Sequence, residues 1–333
     1  MITAVLGCGS WGTALAVLLG KKEYEVRLWG RPEDGILDIQ RERVNSRYLP
    51  GIALPDSVAA TESLDQALDG AEAVVVVIPS SGVREVVAAL KGRLNPDTVL
   101  IHAGKGLESE TGLRGSEIIT QELGEDIGRG CVALSGPNLA VELAHDVPTA
   151  TVVASLDMDR AARAQDLFAA PSLRVYRNPD IIGVELGGAL KNVLAIGAGI
   201  SDGLGYGDNT KATLVTRGLS EMMRLGTTLG ANPKTFSGLS GFGDLMATCA
   251  SPLSRNLRLG KMLGEGQDLE SSLTKLGQVA EGMPTCHAAY LLSKKHDIYM
   301  PITEQIHAVL YEGHSPKQAV HDLMSRVQKD ELS

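Results

Sequence analysis

The chain has 333 residues, 44% of them hydrophobic, which is enough apolar side chain to fill two domain cores. A formal charge of −9 and a sequence pI near 5.3 exclude a general affinity for nucleic acid or for an anionic membrane, leaving room only for a local basic pocket. Cys8, Cys131, Cys249 and Cys286 are too scattered for a zinc site or a disulfide framework, so no metal is expected and a reducing compartment, the cytoplasm, suits the chain.

Residues 2 to 30 read as strand, glycine turn, helix and strand: ITAVLG, CGSWG, TALAVLLGKK and YEVRLWG. No basic segment precedes the first apolar run, which therefore reads as a strand and not as a signal peptide. Gly7, Gly9 and Gly12 have G-x-G-x-x-G spacing directly after a strand and at the opening of a helix, the context that makes this pattern a dinucleotide-binding turn. Its first glycine permits the tight turn, its second lets a pyrophosphate approach the backbone, and its third lets helix and strand pack closely. The helix N-terminus adds amide donors and a positive dipole. Beyond the second strand, where NAD enzymes place an acidic residue for the ribose hydroxyls, stands Arg31. A guanidinium there attracts a 2′-phosphate, so NADPH is the favoured cofactor. Glu33 and Asp34 lie close enough to offset that charge, which keeps NADH possible.

Further strands are expected within 73–79, 98–106, 131–136, 149–155 and 173–176. Several are nearly continuous apolar runs, the pattern of parallel strands covered by helices on both faces. The loops at their carboxyl ends, PSSGV, GKGLE and SGPNLA, should then line the ligand crevice. Lys105, between Gly104 and Gly106, either serves an anionic ligand there or is an exposed turn lysine.

From Pro179 onward strand-like runs give way to helical patterns over 180–200, 209–229, 255–264, 283–296, 302–312 and 316–328, with Gly230 as a C-cap and Pro233 soon after. A sheet domain over 1–179 and a helical domain over 180–333 are expected, packed together with a site between them. Within the first helical stretch, GVELGGALKNVLAIGAG carries one lysine among small and aliphatic residues. Three and four positions from Lys191 stand only Gly187, Gly188, Leu194 and Ala195, so no carboxylate of its own helix pairs with it. Lys191 either snorkels to water or is a functional amine with a partner from a distant segment. This helix comes nearest to a membrane span, but its lysine, glutamate and glycines argue against insertion. In SGLSGFGDLMATC, Asp244 either caps a helix or serves a site. In SPLSRNLRLGK, Ser254, Arg255 and Asn256 open a helix and can hold phosphate with hydroxyl, guanidinium and helix-end amides, or else form a cap with a solvated arginine.

Taken in order, GCGSWGTALA, AGKGLE, SGPNLA, GGALKNVLAIGAG, GFGDLMATC, SRN and VAEG make the chain resemble the NAD(P)-dependent sn-glycerol-3-phosphate dehydrogenase family in its bacterial form. The match runs from the first strand to the C-terminal helices. The resemblance implies an α/β Rossmann NAD(P)-binding domain joined to an all-α domain of the 6-phosphogluconate dehydrogenase C-terminal type. It also implies a homodimer that interconverts dihydroxyacetone phosphate and sn-glycerol 3-phosphate and feeds phospholipid synthesis. Carried over residue by residue, it makes Lys191 the acid/base, with Lys105 and Asp244 in the catalytic set. It gives substrate contacts to Lys105, Gly136, Asn138, Lys191, Asn192, Asp244, Thr248, Ser254, Arg255 and Asn256. Cofactor contacts fall on Gly7, Gly9, Ser10, Trp11, Gly12, Arg31, Lys105, Ala140, Arg255, Val279 and Glu281. At one place the chain departs: many members read Gly-Pro-Ser or Gly-Pro-Thr followed by Phe-Ala where this one has Asn138 and Leu139, so a hydroxyl contact to substrate becomes a carboxamide contact.

On this reading the Lys191 ammonium stabilises the charge that develops on the C2 oxygen and supplies its proton. Burial should lower its pKa from about 10.4 toward working pH, with Asp244 restraining the fall. The phosphate should lie near Arg255, Ser254 and Asn256. The rival readings are a dehydrogenase of the same plan acting on a hydroxy or keto acid, and a nicotinamide-binding redox sensor without turnover.

Overall fold

A computed structural model describes residues 1–328, 330 and 331. Its strands are β1 (Ile2–Leu6), β2 (Glu25–Trp29), β3 (Val44–Asn45), β4 (Leu49–Ala53), β5 (Val58–Thr61), β6 (Ala73–Val76), β7 (Val99–His102), β8 (Val132–Ser135), β9 (Thr149–Ala154) and β10 (Leu173–Asn178). Eight of them form one sheet in the order β10-β9-β8-β7-β6-β1-β2-β5, and β3 pairs with β4 as a separate hairpin. From β5 across to β8 every pairing is parallel.

The apolar runs follow from burial on both faces. Val5, Val75 and Ile101 enter one core with the helix Ser10–Lys21, while their strand neighbours Leu6, Val76 and Leu100 enter a second core on the opposite face. A strand alternates its side chains between faces, so with helices over both, every position must be apolar. Two features differ from the sequence reading. β9 runs antiparallel to β8, with β10 parallel to β9; strand direction leaves no trace in a continuous apolar run. The hairpin and β5 lie in a stretch of short, polar and turn-rich segments that carries no strand periodicity.

After the last strand, Asp180 accepts a hydrogen bond from Gly183 N and caps the helix Ile181–Gly203. This helix is long and apolar enough to cross a membrane, yet 94% of its apolar window is buried inside the protein. Helices Asp208–Thr228, Asp244–Ala250, Arg255–Gly264, Gly282–Lys295 and Pro301–Tyr311 surround it. The short helices Pro233–Phe236 and Asp244–Ala250, and the helix Leu269–Leu276, add to the expected set, and the final helix stops at Met324, short of the expected 328. Contact with Arg255–Gly264 is made backbone to backbone. A methyl group at Gly199 or Gly203 would strike the carbonyls of Leu257 or Lys261, and one at Gly260 or Gly264 would strike those of Ile196 or Ile200. Glycines thus bring the start of the second helix, with Ser254 to Asn256, beside the middle of the first.

Candidate active site

β1 runs into the glycine turn. Gly7 has φ +121° and Gly12 faces the Gly7 carbonyl, so neither position admits a side chain. Gly9 has nothing within 4 Å of where a Cβ would stand, and the helix that follows, Ser10–Lys21, begins with no side-chain cap. Open space in front of uncapped helix amides fits a dinucleotide pyrophosphate. Trp11 packs against the core beneath, its buried Nε1 without a hydrogen-bond partner among the described residues, and Ala140 opens the short helix Ala140–Ala144 that packs on the same helix. Arg31 follows the tip of β2, but it is not free: its Nε is shared by Asp34 Oδ2 at 3.1 Å and Glu33 Oε1 at 3.3 Å.

Lys191 turns inward and is 6% exposed, which excludes snorkelling. Its Nζ donates to Asp244 Oδ1 and, at 2.7 Å, to Thr248 Oγ1. The other Asp244 oxygen accepts from Lys105 Nζ at 2.7 Å, and Lys105 also donates to the Gly136 carbonyl at 2.7 Å. Asp244 is the first residue of its helix, but its side chain joins two lysines and does not act as a cap. Gly187 and Gly188 make room for this cluster, because a Cβ on either would meet the Ser240 carbonyl or the Ser135 hydroxyl. Burial pushes the Lys191 pKa down to about 8; the Asp244 charge opposes the fall and the Lys105 charge adds to it.

Asn192 links the cluster to both neighbouring segments. Its Nδ2 donates to the Lys105 carbonyl at 2.9 Å, and its Oδ1 accepts from Asn256 Nδ2 at 2.9 Å. Asn256 Oδ1 then accepts from Gly282 N at 2.9 Å, so Asn256 is committed at both ends and acts as scaffold in this arrangement. Ser254 Oγ caps its helix by accepting from Leu257 N, which leaves its hydroxyl proton to donate. Arg255 is different: among the described residues it donates no hydrogen bond, and burial holds its pKa below the usual range, with the nearby Glu281 opposing that fall. Glu281 accepts from Ser80 N at 3.1 Å and Ser80 Oγ at 2.7 Å, tying the segment after the half-exposed Val279 to the loop following β6. Asn138 donates through Nδ2 to Thr151 Oγ1 at 2.8 Å and keeps a buried Oδ1 without a partner among the described residues.

Family comparisons agree with this architecture. The family described as NAD-dependent glycerol-3-phosphate dehydrogenase matches by its N-terminal part over residues 2–161 and by its C-terminal part over residues 180–321. The chain belongs to that family. A Pelotomaculum thermopropionicum protein named glycerol-3-phosphate dehydrogenase, NAD(P)+, is 51% identical over 329 residues, covering 99% of this chain and 94% of that one. One of the same name from Bacillus licheniformis is 48% identical over 330 residues, covering 99% and 95%. The crystal structure of the glycerol-3-phosphate dehydrogenase of Coxiella burnetii superposes with a TM-score of 0.93 at 40% identity, covering 98% of this chain and 99% of that one.

In this member of the glycerol-3-phosphate dehydrogenase family two further residues shape the site without a signal in the motifs. Glu185, buried on the Lys191 helix, accepts from Arg114 Nη1 at 2.6 Å, Ser116 N at 2.8 Å and Ser116 Oγ at 2.6 Å. It fastens the helix after the Lys105 loop to the helix of Lys191. The same oddity that singles out Lys191, a charge in an apolar helix, marks Glu185 too. Asn45 in β3 donates to the Cys8 carbonyl at 2.7 Å and to Thr13 Oγ1 at 2.8 Å, and it accepts from Tyr48 N at 3.1 Å. The hairpin is thereby bolted to the glycine turn. Asn45→Ala leaves buried polar groups unpaired, so it should lower stability by roughly 1–3 kcal/mol and weaken NADPH binding. Urea unfolding and a fluorescence titration read the two effects, and wild-type values for both would mean that the hairpin does not hold the turn.

Proposed function

We propose that the protein reduces dihydroxyacetone phosphate to sn-glycerol 3-phosphate reversibly, with NADPH favoured and NADH accepted, and that Lys191 is its general acid/base. The observation that carries this reading is one buried carboxylate, Asp244, shared by two lysines, with Asn192 joining the Lys191 helix to Asn256, the neighbour of an arginine that donates no hydrogen bond among the described residues. A bound reduced nicotinamide supplies the hydride.

An ammonium has three protons. Lys191 spends two on Asp244 and Thr248, and Lys105 spends two on Asp244 and Gly136. Each keeps one for a ligand. Two cations around one anion leave a net positive charge in a buried site, where it acts strongly on an oxygen that becomes negative as C2 is reduced. Lys191, with its pKa near 8, gives that oxygen a proton and takes it back in the reverse direction. Arg255, the Ser254 hydroxyl and the amides opening Arg255–Gly264 suit the phosphate dianion. On the family resemblance alone, the reading extends to a cytoplasmic homodimer that supplies glycerophospholipid synthesis.

The phosphate should provide binding energy that orients the small ketone. In a spectrophotometric assay of NADPH oxidation, kcat/KM for dihydroxyacetone should fall below that for its phosphate ester by roughly three orders of magnitude or more. Equal rates on the two substrates, or faster turnover of a keto acid, would overturn the assignment.

A further inference from the structure

We propose that Arg47, at the tip of the β3–β4 hairpin, is a specificity-determining residue that reads the 2′-phosphate of NADPH. The inference rests on the dinucleotide-binding reading of the glycine turn and concerns the rim that would face the adenosine ribose, just past the end of β2.

Arg31 stands on that rim, but with Glu33 and Asp34 both paired to it, the three side chains carry a formal charge of −1. Taken alone they disfavour a phosphate dianion. The hairpin supplies the missing charge. Just before its turn it is anchored through Asn45 to the Cys8 carbonyl inside the glycine turn. Its tip folds onto the 31–34 segment, with Tyr48 Oη donating to Asp34 Oδ1 at 3.4 Å and Arg47 Nη1 donating to the Glu33 carbonyl at 3.1 Å. The Arg47 guanidinium lies over the Tyr48 ring, 4.9 Å from its centre, an arrangement that orders an otherwise exposed side chain. Among the described residues no carboxylate pairs with Arg47. Arg31, Asp34 and Arg47 all lie near enough to Cys8 for their charges to act on its thiol, which places the group around the turn itself.

With Arg47 these four side chains sum to zero and present two guanidinium groups, one stacked and one buttressed by carboxylates. Without it, the rim is net negative and suited to bare ribose hydroxyls. Guanidinium recognises phosphate through paired donors, whereas a hydroxyl gains little from it.

The test compares fragments that lack the nicotinamide. Calorimetric titration of the native protein and of Arg47→Ala with adenosine 2′,5′-bisphosphate and with 5′-AMP separates the 2′-phosphate from the rest of the cofactor. The substitution should weaken the bisphosphate about tenfold or more and 5′-AMP less than about twofold. KM for NADPH should rise in parallel while KM for NADH stays unchanged. Arg47→Lys should retain part of the discrimination, and Glu33→Gln should sharpen it. Equal losses for both fragments, or no loss for either, would overturn the role of Arg47. Failure of the native protein to bind either fragment would instead remove the dinucleotide reading on which it rests.

Discussion

Lys191→Ala should lower the turnover of dihydroxyacetone phosphate by about four orders of magnitude while leaving NADPH affinity within a few-fold of native. The size follows from two roles lost together: general acid catalysis contributes about 10²–10⁴ in rate, and a fixed charge at a developing oxyanion contributes about 10²–10³. The fold should survive, because Asp244 keeps Lys105 as its partner. The pH profile provides a second readout. With a Lys191 pKa of about 8, the ammonium needed for reduction is present below that value, so the reductive rate should be flat there and decline above it. Oxidation of glycerol 3-phosphate needs the free amine and should rise through the same pH. Stopped-flow measurement of both directions between pH 6 and 10 would check the pair. Turnover that survives the substitution would transfer the acid role to Lys105.

Asp244→Asn should be more damaging to the protein as a whole. It leaves two ammonium groups facing each other in a buried site with no anion between them, and breaking a buried ion pair from one side costs about 3–5 kcal/mol. Removing the charge that supports the Lys191 ammonium also drives its pKa further down. The basic limb of the reductive profile should therefore move to lower pH, and activity at neutral pH should fall by two or more orders of magnitude. Denaturant unfolding measures the first effect and the pH–rate profile the second. Combining the change with Lys105→Met should restore part of the lost stability by relieving the repulsion. A single variant as stable as native, with an unmoved profile, would show that Asp244 neither balances the lysines nor tunes the acid.

What could be read in advance was whatever leaves a local mark. The glycine turn is legible because its backbone excludes side chains at Gly7 and Gly12, and Lys191 is legible because a lysine amid Leu, Ile and Gly asks for a reason. Asp244 and Arg255 could be noticed as polar residues near glycines, but the sequence left each with a plain alternative as a cap or a solvated charge. Which remote segments touch each other left no mark, even where a buried charge such as Glu185 asked for a partner. Asn45 reaches the glycine turn across 37 residues, Glu185 reaches Ser116 across 69, and Glu281 reaches Ser80 across 201. The reversal of β9 was equally silent, since burial on both faces asks the same of a strand whichever way it runs.

The glycine seam between Ile181–Gly203 and Arg255–Gly264 has a bearing on selectivity. Where helices meet through side chains, their spacing can be retuned by exchanging one residue for a larger or smaller one. Here peptide groups touch, and the spacing has no such adjustment. On the proposed reading, the interval from Lys191 on one helix to Arg255 on the other is consequently a gauge cut into the main chain. A longer phosphorylated ketone cannot be admitted by trimming the pocket wall; it would require the two backbones to part.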